Sequence, residues 1–372
     1  MYTTAPLSLF RSHPEAASRP PPEGQNSGYL VLKSADDDAE DYEAFCCGDA
    51  TGVWELPFPQ NRVLNVQDGD DDEAVLFVPV PDQPLASNRY YAVIATGKYK
   101  GLISTCSREE DVTTDCFCRC TWDVEPRPFD PADVYQQMEI VQHRRGEFTA
   151  RAVADDGIPS ALYRGKYWNV YTSKSKKVDL VEAPGLDAAL RSRQLTVDAT
   201  PLDDFPAAAT TTVGRWYCPF FLIKEGNVVP RQQMSRSAFY EVVLEQRWEP
   251  VPEQGHGVPK LASKTAFIGG SVEAKQEPQS PRRGDAYVWF RAAAAAAAAG
   301  QRFGVCTSVW ERMLSEEHNG GWVDKEDEEE EESGKVSGGE VLVERFLMKR
   351  MDGSVAMAFD FVHLDKVRAK QV

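Results

Sequence analysis

Glu73–Ile94 reads EAVLFVPVPDQPLASNRYYAVI, and Val213–Leu244 reads VGRWYCPFFLIKEGNVVPRQQMSRSAFYEVVL. Each opens with an apolar, strand-like run that contains a proline (Val78-Pro79, Cys218-Pro219) and continues into a polar connection holding a glutamine. In each, an aromatic pair (Tyr90-Tyr91, Phe239-Tyr240) then starts a second apolar run. β-Branched and aromatic residues suit a pleated, half-buried surface, and proline with polar residues between two such runs marks a reversal of direction. Both stretches therefore read as strand–turn–strand. Their likeness to each other points to a repeated unit.

The same signal continues on either side. Tyr29–Leu32, Val63–Val66, Lys100–Ser104, Phe148–Ala154 and Tyr167–Tyr171 are short apolar runs bounded by turn residues. Val341–Arg350 and Val355–Val362 flank Asp352-Gly353, a strong hairpin signal. Helix signals are fewer. Asp130-Pro131 offers a cap and a first helical position, and Val134, Met138 and Val141 follow at helical spacing. Leu186–Leu195 reads as a short helix after Pro184-Gly185, and Phe303–Leu314 fits a strand or an amphipathic helix. The expected class is α+β and β-rich, with two related antiparallel-sheet, sandwich-like halves and a few short helices. Residues 1–27 read as an extended lead-in, 28–201 as a first β-rich domain, 202–212 as a linker and 213–372 as a second domain. That second domain carries low-complexity insertions at 292–299 and 324–339.

A length of 372 residues suits two cores better than one. The net charge of −17 is concentrated in Asp36–Glu43, Asp68–Glu73 and Asp324–Glu332, which leaves the rest of the chain nearly neutral. Such runs repel themselves and read as solvated loops. A nucleic-acid binder would need a basic stripe, and Arg164, Lys166, Lys174, Lys176 and Lys177 are too dilute to make one. No apolar run approaches the length of a membrane span. Met1–Arg19 has no apolar signal core either. A cytoplasmic or nuclear location is the expectation.

The most suggestive side chains are Cys116, Cys118 and Cys120, with Cys106 ten residues earlier. Zinc would need the thiolates to converge on one point, whereas residues two apart on a strand stand about 6.7 Å from each other. Thr113–Glu125 holds no Gly or Pro to bend the chain, so the alternation reads as one strand with Cys116, Cys118, Cys120, Trp122 and Val124 on one face. Metal or redox chemistry at these cysteines is the competing reading. Cys46-Cys47 is too close for a disulfide.

Histidines at 13, 143, 256, 318 and 363 are scattered without zinc-helix spacing. No Gly-x-Ser-x-Gly elbow occurs, and no phosphate loop surrounds Gly97-Lys98 or Gly165-Lys166. No catalytic residue, cofactor site or metal site is therefore assigned. Trp54, Trp168, Trp216, Trp248, Trp310 and Trp322 would stack on sugars or peptides if exposed, although Trp216 and Trp248 sit where core packing is expected.

The chain resembles a plant family of unknown function, domain-of-unknown-function family 1262. The stretches that carry the resemblance are PLSLFRSHPEA, PPEGQNSGYLVL, LPFPQN, PLASNRYYAVI, TCSREEDVTTDCFCRC and RPFDPADVYQQ. DDGIP, EAPGLDAALRSR, RWYCPFFLIKEG, FYEVVLEQRW and VERFLMKRMDGSVAMAFDF continue it in order over nearly the whole chain. The alanine run at 292–299 and Glu328–Glu332 depart from it as local insertions. The resemblance implies an intracellular plant protein with a link to stress responses, and it supplies no catalytic residue. The leading functional expectation is a non-enzymatic binding or scaffold protein with a protein or small-molecule partner. The alternative is a hydrolase whose site is dispersed along the sequence.

Overall fold

The structure is a computed structural model that describes residues 1–21, 24–34, 50–115, 118–121, 123–193, 195, 210–250, 263–278, 286–293, 300–320 and 340–368. The chain forms two compact units. The first comprises Met1–Ala183, Tyr217–Phe239 and Arg282–Ala286; the second comprises Pro184–Trp216, Tyr240–Pro281 and Tyr287–Val372. The chain thus changes unit more than once, and most of the expected linker, 202–209, lies outside the described residues. The protein is β-rich, with antiparallel sheets and a few short helices. Among the described residues no helix is long and apolar enough to cross a membrane.

The first unit opens with β1 (Tyr2–Pro6) and α1 (Leu7–Ser12), followed by β2 (Gly28–Leu32), which pairs in parallel with β1. The expected extended lead-in is therefore corrected. Tyr2, Ala5, Leu7 and Phe10 are buried, and burial of these apolar positions orders the segment. Then come β3 (Ala50–Gly52), β4 (Arg62–Asp68), β5 (Asp71–Pro79) and β6 (Arg89–Ile94). A small hairpin of β7 (Val112–Asp115) and β8 (Cys118–Thr121) forms a sheet of its own. The strands β9 (Gln137–Arg144), β10 (Glu147–Ala152) and β11 (Asn169–Lys177) complete the larger sheet, with α2 (Ala161–Arg164) between the last two.

The strand order is β10-β9-β6-β5-β4-β11-β3. Phe148 on β10 and Trp168, just before β11, exchange both backbone hydrogen bonds, at 3.0 and 2.9 Å. The sheet thereby returns on itself as a barrel of six strands. Thr149 Oγ1 donates to Gly165 O at 3.0 Å and Asn169 Nδ2 to Gly146 O at 2.7 Å along the same seam. Alternate residues fill the interior: Leu64 and Val66, Val75 and Phe77, Tyr90 and Ala92, Met138 and Ile140, Phe148 and Ala150. Phe58 plugs it, with ring centroids 5.0 Å from Phe77 and 4.9 Å from Phe148.

Two sequence readings change here. Val134–Gln136 forms one 3-10 turn, capped by the Asp133 carboxylate, and the chain then becomes β9. The period-2 pattern of buried Met138 and Ile140 between half-buried Gln137 and Glu139 outweighs the helical spacing, because β6 and β10 satisfy its backbone on both sides. The cysteine segment differs as well. Asp115 pairs with Cys118 and Thr113 with Cys120, so the chain reverses between Asp115 and Cys118 instead of running on as one strand. The two short strands satisfy each other's backbone groups, which a lone strand would leave unpaired.

The two stretches quoted at the outset share a local design. Pro79 ends β5, and Val80 N donates to Arg89 O, just ahead of Tyr90-Tyr91, at 3.0 Å. Pro219 likewise ends β13 (Thr211–Pro219), and Phe220 N donates to Ala238 O, just ahead of Phe239-Tyr240, at 3.0 Å. In the second stretch β14 (Ile223–Glu225) and α4 (Pro230–Arg236) lie between these points, where the first has only the 3-10 turn Leu85–Ser87.

The second unit is built on one antiparallel sheet. Its strands are β12 (Gly185–Leu186), β13, β15 (Phe239–Pro250), β16 (Lys264–Ile268), β17 (Val272–Gln276), β18 (Tyr287–Ala292) and β19 (Arg302–Cys306). The last two are β20 (Glu340–Arg350) and β21 (Val355–Arg368). Their order is β19-β18-β17-β16-β21-β20-β15-β13. The expected hairpin joins β20 to β21, with Gly353 at φ +83° and the Asp352 carboxylate accepting from Ser354 N at 2.8 Å. The residues Phe303–Leu314 turn out to be both things: the end of β19, then α5 (Thr307–His318). Trp310 of α5 meets Phe290, Phe359 and Phe361 on the sheet at 5.3, 5.3 and 6.2 Å. A short α3 (Ala188–Arg191) is capped by Asp187, which accepts from Leu190 N at 3.0 Å.

Of the acidic runs expected to be solvated loops, 36–43 and 324–332 lie outside the described residues, as does 294–299 of the alanine run. The third, Asp68–Glu73, is corrected to the tight β4–β5 hairpin, where Asp68 pairs with Asp71. Ala292 is a buried β18 residue paired with Ala274.

Candidate functional site

Among the described residues no group of three His, Cys, Asp or Glu could hold a metal ion; of the candidate cysteines these include the side chain of Cys106 alone. Cys106 is buried in the barrel core. Burial, with the nearby Asp133 charge adding to it, pushes its thiol up to about 12, so it stays protonated at neutral pH. Cys118 and Cys120 belong to β8, and Cys116 lies outside the described residues.

An open recess of the first unit lies where the segment RPFDPADVYQQ leaves the barrel wall. Gln136, almost fully buried, fixes that segment: its Nε2 donates to Pro128 O and its Oε1 accepts from Asp130 N, both at 2.9 Å. Asp130 accepts from Ala132 N at 2.9 Å and Asp133 from Tyr135 N at 3.2 Å. Each of these carboxylates is therefore oriented by the backbone it serves. Arg108 lines the same recess, its guanidinium 4.7 Å from the Tyr135 ring centroid and 3.2 Å from Glu110. The Tyr135 hydroxyl donates to Asp156 at 2.7 Å, and this bond holds its proton more tightly than usual. The backbone of Arg127 is locked to Ile103 by two hydrogen bonds, and its exposed guanidinium has no ion-pair partner among the described residues. The recess encloses about 470 Å³, within the usual range of small-ligand pockets. Two guanidinium groups and two carboxylates line one small space, which matches a dipolar molecule better than a singly charged one.

The second unit holds a different kind of cluster. Arg191 Nη1 lies 2.8 Å from Glu316 Oε2, and Arg191 Nη2 lies 3.0 Å from Glu344 Oε1 while also donating to the Glu316 carbonyl. Gln246 Nε2 donates to Glu344 at 2.8 Å, His363 Nε2 meets the other Glu344 oxygen at 2.9 Å, and Arg312 pairs with Glu316 at 2.7 Å. All six side chains are buried. Glu344 and Gln246 are cross-strand neighbours on β20 and β15, on the sheet face that otherwise carries Leu342, Phe346 and Met348. Gly320 follows α5 because a Cβ there would collide with Arg191 and Glu344. Two arginines balance two glutamates, as buried charge requires. Arg191 Nε and Gln246 Oε1 have no hydrogen-bond partner among the described residues. The cluster is buried and its charges pair with one another, so its chemistry is that of a structural network.

Sequence reasoning missed both places. Among the described histidines, His363 joins a charged cluster, His13 is exposed beside Glu15 and His143 rests against Tyr167, while His256 lies outside the described residues. Of the tryptophans, Trp168 and Trp216 are buried and Trp54 is half-buried, while Trp322 lies outside the described residues.

No curated protein matches the chain. Among solved structures, the crystal structure of Cry35Ab1 is similar at 10% identity and a TM-score of 0.42, covering 84% of this chain and 90% of that one. A likeness at that level carries no argument about this protein. Residues 23–117 match the family model described as "Protein of unknown function (DUF1262)", which agrees with the resemblance read from the motifs, and this stretch supplies β3–β6 of the barrel system.

Proposed function

We propose that this protein is a non-enzymatic binding protein of the plant cytosol or nucleus that takes a small dipolar ligand in the recess of the first unit. The observation that carries the reading is the Arg127 guanidinium, free of an ion pair among the described residues and lining a recess that also presents Asp130 and Asp133. Arg108 adds a second cation, with its stem and head held over Tyr135. A ligand bearing both an anionic and a cationic group would set the first against a guanidinium and the second against a carboxylate. The plant source, the intracellular location and a role in stress responses draw on the family resemblance alone.

Calorimetric titration of the full chain with free amino acids, with acetate and with an alkylamine tests this. The zwitterions should bind and the singly charged compounds should not. Arg127→Ala should weaken binding about tenfold, the loss of roughly one charge-assisted hydrogen bond. Absence of zwitterion binding at millimolar concentration would sink the reading. Turnover of an ester, peptide or glycoside by the purified protein would replace it with the hydrolase alternative.

A further inference from the structure

Trp54 is a second feature of the first unit that the recess above leaves unused. Its carbonyl accepts from Gly146 N at 2.9 Å and from Gln142 Nε2 at 2.8 Å, which ties the segment after β3 to the β9–β10 turn. A Cβ on Gly52 would stand 2.7 Å from Trp54 Cζ2, and one on Gly146, at φ +80°, would stand 2.6 Å from Cε3. Two glycines thus let the indole lie directly on main chain at both ends of its six-membered ring. The ring is half-buried, and it stands apart from the side chains that fill the barrel. Beside it opens a recess of about 290 Å³ lined by Phe10, Arg11, Pro14, Glu55, Leu56 and Arg145. The Arg145 guanidinium lies 5.7 Å from the indole centroid and is exposed, with no carboxylate partner among the described residues.

We propose that this recess binds a planar aromatic carboxylate, its ring stacked on Trp54 and its charge held by Arg145. Three properties point to that class. A tryptophan held against glycine backbone is a rigid, flat stacking surface that loses little freedom when covered. Phe10, Leu56 and Pro14 give the rim an apolar character suited to a ring edge. Arg11 and Arg145 against Glu55 leave the lining with one net positive charge, and a guanidinium recognises a carboxylate through paired hydrogen bonds. A neutral sugar could use the indole face but would gain nothing from the arginine excess.

The test is calorimetric titration of the full chain with 1-naphthoate, with the neutral 1-naphthalenemethanol and with methyl glucoside, alongside quenching of tryptophan fluorescence. Naphthoate should bind and quench, weaken as salt rises, and lose about tenfold in affinity in Arg145→Gln and in Trp54→Leu. Trp54→Phe should retain most of the binding. Arg127→Ala should leave it unchanged, which separates this site from the dipolar-ligand recess. Arg145 is exposed, so its variant remains informative even if Trp54→Leu fails to fold. Equal binding of the neutral naphthalene, binding of the glucoside in place of naphthoate, insensitivity to Arg145→Gln, or no naphthoate binding at millimolar concentration would each overturn the proposal.

Discussion

Arg191 and Glu344 are 153 residues apart in sequence, yet their charged groups meet at 3.0 Å in the interior of the second unit. The pair joins α3 to β20, and Glu316 extends it to α5. It fixes how three elements meet, and it does so with charges that are buried.

Removing one member should therefore be severe. Glu344→Leu leaves Arg191 without its deepest partner and strips the acceptor from Gln246 and His363. A loss of about 3–5 kcal/mol is expected by urea denaturation. The double variant Arg191→Met with Glu344→Leu should be markedly less damaging than the sum of the two single changes. Simple additivity would show that the two residues do not act as a unit.

The barrel of the first unit should depend on its plug. Phe58 is fully buried and touches Phe77, Tyr90, Phe148 and Trp168. Phe58→Ala should cost about 3–5 kcal/mol through lost transfer energy and the cavity left behind, whereas Phe58→Leu should cost far less. A melting temperature unchanged by the alanine variant would mean that the interior is not packed around this ring.

Cys106 should be inert in the folded protein. Its thiol is buried and pushed up to about 12, and only the thiolate is the reactive form. Iodoacetamide at pH 8 should leave the Cys106 peptide unlabelled until denaturant is added, as read by mass spectrometry. Because the folded value exceeds the unfolded one, near the ordinary 9.0, the favoured thiol contributes fully below pH 9. Its contribution is lost progressively as pH rises toward 12. Cys106→Ala should flatten that alkaline decline.

What the sequence made legible was local. The strand–turn–strand around Pro79 and the Asp352-Gly353 hairpin depend on neighbours within about twenty residues, and both formed as read. The segment after Asp133 was misread because Val134, Met138 and Val141 satisfy a helical period while Met138 and Ile140 satisfy a strand period. Only the partner strands β6 and β10 decide between them. Residues 1–27 read as an extended lead-in, yet Tyr2 finds a buried place and its hydroxyl donates to Pro79 O at 2.7 Å. The recess and the charge cluster were illegible for the same reason. Arg108 and Arg127, or Arg191 and Glu344, become neighbours only through long-range pairing, and no spacing rule announces them.

The closure at Phe148 and Trp168 also decides how another molecule can approach the barrel. A strand at the rim of an open sheet invites extension by any stray segment of polypeptide, since its amides and carbonyls wait for partners. Where β10 meets the entry to β11, those groups already serve each other. A companion protein cannot dock at that seam by lengthening the sheet. It must recognise the barrel through what its loops and turns display, and variation in those loops can change the partner without disturbing the staves.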